Sequence, residues 1–370
     1  MKLALRELRR RPSRFAVAAV ILTLLSVLLL FLGGLLDGLV AGSTGALRQQ
    51  QADVIVYAVG SDASTIRSRI GPEVRDQVET VGGVDAVGGL GSVQLGGRLE
   101  GRGPRDLLAI VLFGFELPPN GIPDAPLADG DVYADDSLRS EGVEEGTMIQ
   151  LGPARTEVRV IGFVSDSRFS GQGSLWGSLD TWRAVLGENR PNARVSDEVV
   201  QALVVRAATD AAGVAAAIDE ATDGATQSYT IAEAIDKIPG VSQQRSTFNQ
   251  IIGVTVVIAT VVVALFFALL TVERTGLYGV LKALGARSTT IFAGVALQAA
   301  VVAAVACAIG VGAALALDAA LPSGSLPFTV TLSRVITSVA VLLGASLVGA
   351  AFSLRRVLRV DPASAIGGAS

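Results

Sequence analysis

Residues 273–287 read Glu-Arg-Thr-Gly-Leu-Tyr-Gly-Val-Leu-Lys-Ala-Leu-Gly-Ala-Arg, a short polar stretch between two long apolar runs. A stretch of this length between two membrane spans must lie at one face of the bilayer. Its pattern predicts a small amphipathic helix with four apolar residues on one side and Lys282 on the other. The apolar residues are Leu277, Val280, Leu281 and Leu284. Two interpretations stay open: a helix that passes a push from a soluble partner into the membrane, or a tight solvated loop that joins two helices.

The composition indicates a membrane protein. Half of the 370 residues are hydrophobic, and the mean hydropathy is +0.54. The apolar residues are concentrated in four segments, each long enough to cross a bilayer, which takes about 20 predominantly apolar residues. The predicted spans are residues 14–41, 245–272, 288–318 and 332–354. The first is too long for a signal peptide and shows no small-residue cleavage site, so we expect a retained anchor.

The basic residues predict the orientation. They cluster before the first span, in the polar stretch and after the last span, and four spans put all three places on one side. These residues are Lys2, Arg6, Arg9, Arg10, Arg11, Arg14, Arg274, Lys282, Arg287, Arg355, Arg356 and Arg359. The positive-inside rule then places both termini and the polar stretch in the cytoplasm of a bacterial cell, at its plasma membrane. The acidic segment between the first two spans is expected outside.

The remaining segments follow from these spans. Residues 1–13 place leucines among arginines and predict a cytoplasmic amphipathic helix, which can lie on anionic membrane lipid or touch a cytoplasmic partner. The other predicted parts are an extracytoplasmic domain at 42–244, a coupling segment at 273–287, a short extracellular loop at 319–331 and a cytoplasmic tail at 355–370.

The segment 42–244 reads as a compact α+β domain. The predicted fold class is therefore a membrane protein with four transmembrane α-helices and a large extracytoplasmic α+β domain between the first and second. Strands are predicted at 51–59, 107–115, 147–151, 157–164, 202–206 and 228–231, and helices at 72–80, 179–186 and 210–221. The glycine-rich stretch 84–99 suggests several strands with bulges or turns. The single cysteine, Cys307, lies in a span, so the domain must be stable without an internal disulfide.

The sequence lacks the residues that several kinds of chemistry require. The chain contains no Gly-x-x-x-x-Gly-Lys-Ser/Thr loop for ATP, no histidine and no cysteine cluster for a metal. The carboxylate pairs Asp135–Asp136 and Glu144–Glu145 fit a solvated acidic surface better than acid–base catalysis. We therefore expect no catalytic residues, no bound structural metal, no intrinsic cofactor and no nucleic-acid partner.

Three glycines recur every four residues near the outer end of the first span: Gly34, Gly38 and Gly42. Small residues at this spacing let two helices approach closely, so we expect a packing seam. The alternative is that the glycines serve a kink or a helix end.

Three ionisable residues near the outer ends of the spans are candidates for contact with substrate: Asp37, Arg245 and Arg334. An ionisable group within a span is a functional hypothesis by default. Asp37 can instead sit at headgroup depth. For the two arginines the open partners are lipid phosphate, which is the simplest choice, Asp37 or Asp318, and an anionic substrate.

These features together resemble the FtsX/MacB-type permeases of ATP-binding-cassette (ABC) systems. The matching features are one span, a large outer domain, three further spans, the Glu-Arg…Leu-Lys-Ala-Leu-Gly-Ala insert at 273–286, and the tail. The tail Arg-Arg-Val-Leu-Arg-Val-Asp-Pro-Ala-Ser-Ala-Ile at 355–366 follows the family pattern, as do the stretches 78–87 and 132–146. Within the family, the termini, Phe-Leu-Gly-Gly-Leu-Leu-Asp-Gly at 31–38 and Leu-Pro-Phe at 326–328 are most similar to haem-exporting permeases of Gram-positive bacteria.

The resemblance implies a homodimer of this chain that binds two ABC ATPase subunits, with ATP bound and hydrolysed only on those partners. It makes 273–287 the ATPase-coupling segment, driven when the ATPases close. The residues assigned to coupling are Glu273, Arg274, Gly276, Leu277, Gly279, Val280, Leu281, Lys282, Leu284 and Gly285.

The resemblance also implies haem as the substrate, taken from the outer leaflet or from outside. Without histidine, the conventional axial ligands are Cys307, the tyrosines and Met148. Asp37 is a further candidate ligand, with Arg245 or Arg334 facing the propionates. Two alternatives stay open: export of another amphiphile such as a lipid, lipopeptide or antibiotic, and mechanotransmission to an extracellular cell-wall hydrolase without transport.

Overall fold

A computed structural model describes residues 12–103, 105–273, 276, 280, 284–285, 287–321 and 326–357 of the chain. The described residues fall into two compact units. One, the helical unit, contains residues up to Gly38, then 245–322, then 328 onwards, and the other, the sheet domain, contains 39–244 with 323–327.

The described helices are α1 (Pro12–Arg48), α2 (Pro72–Glu79), α3 (Leu179–Asn189), α4 (Ala211–Ala221), α5 (Ile231–Lys237), α6 (Val241–Val272), α7 (Ser288–Ala320) and α8 (Leu332–Val357). Four of these helices are long and apolar enough to cross a membrane, over Phe15–Arg48, Val241–Val272, Ala293–Ala320 and Leu332–Phe352. They contain the four predicted spans. Helices α1 and α6 are longer than the spans predicted at 14–41 and 245–272, and each contributes residues to both units.

The core of the helical unit is built from small and medium side chains. All four long helices contribute, for example Leu22 of α1, Ala259 of α6, Ala303 of α7 and Leu342 of α8, each at most 1% exposed. Alanine and glycine let helix backbones approach closely in a membrane, where lipid offers no hydrophobic drive for association.

The strands are β1 (Val54–Ala58), β2 (Val84–Leu99), β3 (Leu108–Phe115), β4 (Asp131–Asp135), β5 (Met148–Leu151), β6 (Thr156–Val164), β7 (Gly173–Ser178), β8 (Ala202–Ala207) and β9 (Thr226–Thr230). Together they form a mixed sheet in the order β3-β7-β4-β6-β5-β2-β8-β1-β9. Because β3 also pairs with β2, the first six strands in this order close into a ring. Strand β2 belongs both to this ring and to the open part of the sheet.

The stretch 84–99 is one continuous strand, with a single irregularity between Val84 and Ala86. The several strands expected there do not form, because the glycines make room for packing and do not mark turns. Gly91 and Gly114 lie opposite each other in the β2–β3 pair. A Cβ atom at either position would collide with Trp182 of α3, which is fully buried.

Strands β4 and β7 and the short helix α5 carried no clear sequence signal. Strand β7 reads Gly-Ser-Leu-Trp-Gly-Ser, whose small and polar ends are typical of a loop. Its pairing with β3 and β4 and the burial of Trp176 hold it in the sheet. Tertiary contacts therefore override a weak local preference.

The last turns of α1 are part of the sheet domain. Ala46 and Leu47 are buried in its core, and the Ala46 N–H donates to the carbonyl of Arg168 over 3.2 Å. Gly45 lies against the backbone of residues 166–168, where a Cβ atom would collide. The end of α1, beyond the predicted first span, is thus held within the sheet domain by backbone contacts.

We predict that Gly91→Ala lowers the stability of the sheet domain by about 1–3 kcal/mol, because the added methyl group overpacks the slot that Trp182 fills. Both tryptophans of the chain, Trp176 and Trp182, are buried in this domain. Thermal unfolding of the full-length protein in detergent, followed by tryptophan fluorescence, measures the effect. Gly82→Ala is the control, since a Cβ atom there meets nothing within 4 Å. Equal melting of the two variants would contradict the packing argument.

Candidate functional site

An ion pair joins α1 and α8 within their apolar segments. The Arg334 guanidinium donates from Nε to Oδ2 of Asp37 over 3.0 Å and from Nη2 to Oδ1 over 2.5 Å. Each side chain is 22% exposed. The two-pronged geometry matches the planar guanidinium to the planar carboxylate, which is the strongest arrangement for such a pair. Of the partners left open for Arg334 by the sequence, the structure shows Asp37.

Thr331 is a third residue in contact with the Asp37–Arg334 pair. Its Oγ1 donates to Oδ2 of Asp37 over 3.2 Å and accepts from the backbone N–H of Arg334 over 3.2 Å. A threonine just before a helix that accepts from the third helical N–H is an N-cap. The same hydroxyl therefore begins α8 and orients the carboxylate. The sequence carries a signal for this role, because a threonine stands directly before an apolar run.

The chain before α8 packs on α1 next to the pair. The aliphatic part of Arg334 lies over Gly33, and the ring of Phe328 lies over Gly34, where it would stand 2.6 Å from a Cβ atom. The Phe328 ring also stacks on Phe31 with a centroid distance of 5.7 Å. The Thr329 N–H donates to the carbonyl of Gly34 over 3.1 Å. Two successive glycines thus give this segment a flat surface on α1.

The three glycines singled out by their spacing have different surroundings. Gly34 contacts Phe328, Gly38 is buried, and a Cβ atom at Gly42 would meet nothing within 4 Å. Other small residues make close helix contacts that the spacing did not reveal. Gly310 of α7 lies against Ser26 of α1, and Gly349 of α8 lies against the backbone of α6.

Arg245 is half-buried near the start of α6. Among the described residues it makes no hydrogen bond to Asp37, whose partners are Thr331 and Arg334. The structure therefore joins two of the three ionisable candidates and leaves Arg245 outside the pair.

The coupling segment is described at only some of its residues. Positions 276 and 280 are helical, and the Leu284 N–H donates to the carbonyl of Val280 over 3.0 Å. Gly285 has φ +88°, the left-handed conformation that commonly ends a helix. Val280 and Leu284 are 55% and 78% exposed. Glu273 follows α6 directly and is exposed, as is Gly276, whereas the candidates Arg274, Leu277, Gly279, Leu281 and Lys282 lie outside the described residues.

Comparison with known proteins relates part of this chain to a known family. The FtsX-like permease C-terminal family matches residues 249–362, which contain α7, the coupling segment and the Arg334 side of the ion pair. In this region the chain is an FtsX-like permease, the type of membrane subunit found in ABC transporters. A permease of this type works with a partner ATPase subunit, and its four apolar helices make it a multi-pass membrane protein.

Relatives that match the permease over almost its whole length fall into two groups, one named for hemin transport and one without a named substrate. A putative hemin transport system permease protein, HrtB, of Staphylococcus haemolyticus is 21% identical, and the match covers 100% of this chain and 99% of that protein. An uncharacterized ABC transporter permease of Mycobacterium tuberculosis is 27% identical, with 99% of both chains covered.

Solved structures match the permease over about half its length. The periplasmic region of MacB from Actinobacillus actinomycetemcomitans is 10% identical, with a TM-score of 0.36, and the match covers 51% of this chain and 94% of that one. The extracellular domain of the ABC-type transporter YknZ from Gram-positive bacteria is 12% identical, with a TM-score of 0.32 and coverage of 48% and 98%.

We predict that Gly34→Leu destabilises the helical unit by about 1–3 kcal/mol, because a larger side chain overpacks the contact with Phe328. The readout is a dye that fluoresces on reaction with a thiol during heating, since the only cysteine, Cys307, is buried in this unit. Gly42→Leu on the same helix is the matched control and should melt like the unmodified protein. A Gly34 variant that melts no earlier than the Gly42 variant would show that the Phe328 contact carries no stability.

Proposed function

We propose that this permease is the membrane subunit of an ATP-driven exporter that extrudes haem from the membrane. The observation that carries the proposal is the Asp37–Arg334 pair, an ionisable pair that is kept partly accessible within apolar helices. Ionisable groups in spans are costly and rare, and they mark the substrate or ion pathways of membrane proteins. The names of the staphylococcal relatives, which match over the whole chain, supply the substrate.

The chemistry of haem fits an amphiphile site of this kind. Haem combines a flat apolar ring with two propionates, so it partitions into lipid and presents carboxylates to a cation. Tyr57 is a poor candidate for the iron, because burial raises its pKa well above the ordinary value and so disfavours a phenolate ligand. Both oxygens of Asp37 accept hydrogen bonds from Arg334, so ligation by Asp37 would compete with that pair.

The proposed assembly is a homodimer of the permease with two ATPase subunits. By the positive-inside rule, its termini and coupling segment lie in the cytoplasm of a bacterial cell and its sheet domain lies outside. In this arrangement Val280 and Leu284 present an exposed apolar surface, four residues apart on a helix, to the ATPase. A push on this segment is transmitted directly to α6 and α7, which flank it.

The second candidate function is export of a different amphiphile. It is favoured by the mycobacterial relatives, which are more similar in sequence and whose names carry no substrate.

We predict that haem stimulates ATP hydrolysis by the permease–ATPase complex in lipid nanodiscs and changes its own absorption spectrum on binding. The physical reason is that a bound substrate stabilises the conformation in which the ATPases close. A lipopeptide and a fatty acid serve as comparison amphiphiles. Stimulation by one of these without any response to haem would replace the haem assignment with the second candidate.

We predict that the double variant Val280→Asp/Leu284→Asp abolishes substrate-stimulated ATP hydrolysis while the protein still inserts into the membrane. The carboxylates would remove the apolar surface that contacts the ATPase. Val59→Asp, an equally apolar and exposed position of the sheet domain, is the control and should keep normal stimulation. The coupling role would be refuted by normal stimulation of the double variant. Labelling of a cysteine at position 284 from outside intact cells would refute the orientation.

A further inference from the structure

We propose that Arg334 is a receptor for the carboxylate of an amphiphilic substrate, and that Asp37 occupies this receptor until the substrate replaces it. This inference rests on the proposed export function and names the chemical class of its substrate. Asp37 is then an internal competitor and not a ligand of the substrate.

The hydrogen bonds of the pair define the exchange. Arg334 uses Nε and Nη2 for Asp37. A guanidinium presents these two donors along one edge, and a ligand carboxylate would bind the same edge in the same way. That edge holds one carboxylate at a time in this geometry. Binding of a substrate carboxylate there therefore releases Asp37.

Arg334, the proposed receptor, is held in place by several contacts, whereas Asp37, its present partner, is held by fewer. The stem of Arg334 lies over Gly33, and its backbone N–H is bonded to Thr331. The preceding chain is held on α1 by the Phe328 ring and by the Thr329–Gly34 hydrogen bond. Asp37 has only Arg334 and Thr331 as partners in the described part of the chain. A rotation of the Asp37 side chain is enough to free the guanidinium edge.

Charge makes the exchange selective. If Asp37 leaves without a replacement, Arg334 stays unpaired within apolar helices, which is unfavourable. A carboxylate-bearing amphiphile neutralises Arg334 and leaves the displaced Asp37, which is 22% exposed, to the Thr331 hydroxyl and to solvent. A neutral ester of the same shape cannot replace Asp37 at Arg334. Export should therefore discriminate between acids and their esters.

The exchange also links binding to conformation. Asp37 belongs to α1, while Thr331 and Arg334 belong to the start of α8. Replacement of Asp37 removes the charged contact between the two helices and leaves only their apolar and backbone contacts. A carboxylate substrate therefore loosens α8 from α1 and a neutral amphiphile does not.

The test compares protoporphyrin IX with its dimethyl ester, which differ only in the free carboxylates. The permease–ATPase complex is studied in phosphatidylcholine nanodiscs, and the concentration that gives half-maximal ATPase stimulation is measured. For the unmodified protein we expect this concentration to be about tenfold lower for the acid than for the ester, as one charged hydrogen-bonded contact would give.

Variants separate the receptor from its competitor. Arg334→Gln should remove the discrimination, and Arg334→Lys should retain only part of it, because lysine keeps the charge but loses the two-pronged geometry. Asp37→Asn should strengthen the response to the acid and leave that to the ester unchanged. Asp318→Asn, a half-buried carboxylate near the end of α7, is the matched control and should behave like the unmodified protein.

Several outcomes would overturn the exchange. These are equal responses of the unmodified protein to acid and ester, a weaker response of Asp37→Asn to the acid, or discrimination that survives in Arg334→Gln. Loss of the discrimination when phosphatidylglycerol is added to the nanodiscs would assign the site to lipid phosphate instead.

Failure of the haem assignment can be told apart from failure of the exchange. If neither the two porphyrins nor haem itself stimulates the complex, haem is not the substrate, and the same comparison is made with palmitate and methyl palmitate. A preference for palmitate that depends on Arg334 supports the exchange for another amphiphile. The absence of any such preference refutes it.

Discussion

A carboxylate and a guanidinium in neighbouring apolar helices must neutralise each other, and this constraint organises the candidate site. An isolated charge in such surroundings is unfavourable, so Asp37 of α1 and Arg334 of α8 pair through two hydrogen bonds. The pair sets which faces of the two helices meet. Thr331 serves both partners, so the beginning of α8 and the orientation of the carboxylate are fixed together. The functional proposals concern what happens when another anion competes for Arg334.

Close approach through glycine is the second organising feature, and it operates in both units. In the helical unit, Gly34 receives an aromatic ring and Gly349 receives the backbone of α6. In the sheet domain, the facing pair Gly91 and Gly114 forms the slot for Trp182. Many glycines of the chain lie in turns with positive φ, but these four, within helices and strands, remove side-chain volume where another group must fit. Both units are therefore packed with few alternative arrangements.

The outline of the fold was predictable because its signals are strong and local. The four apolar runs exceed the length needed to span a bilayer, and their helices contain the predicted spans. The proline at the start of α2, the apolar run of β1 and the alternating residues of β6 also identified their elements. Strand β7 was not predicted, and the stretch 84–99 was predicted as several strands rather than as the single long strand β2, since glycines and serines are typical of loops and turns. Their strand conformation depends on partners distant in sequence.

The sequence by itself determined the membrane character, the order of spans and domain, the absence of histidine chemistry, and the identity of the three ionisable candidates. The tertiary structure alone decided that Arg334 binds Asp37, that Arg245 does not, and that Gly34 faces a ring. Hydropathy and periodicity depend on residues close in the chain, so the sequence displays them directly. The pairing of residues 37 and 334 depends on how four helices pack, and nearly three hundred residues separate the two partners.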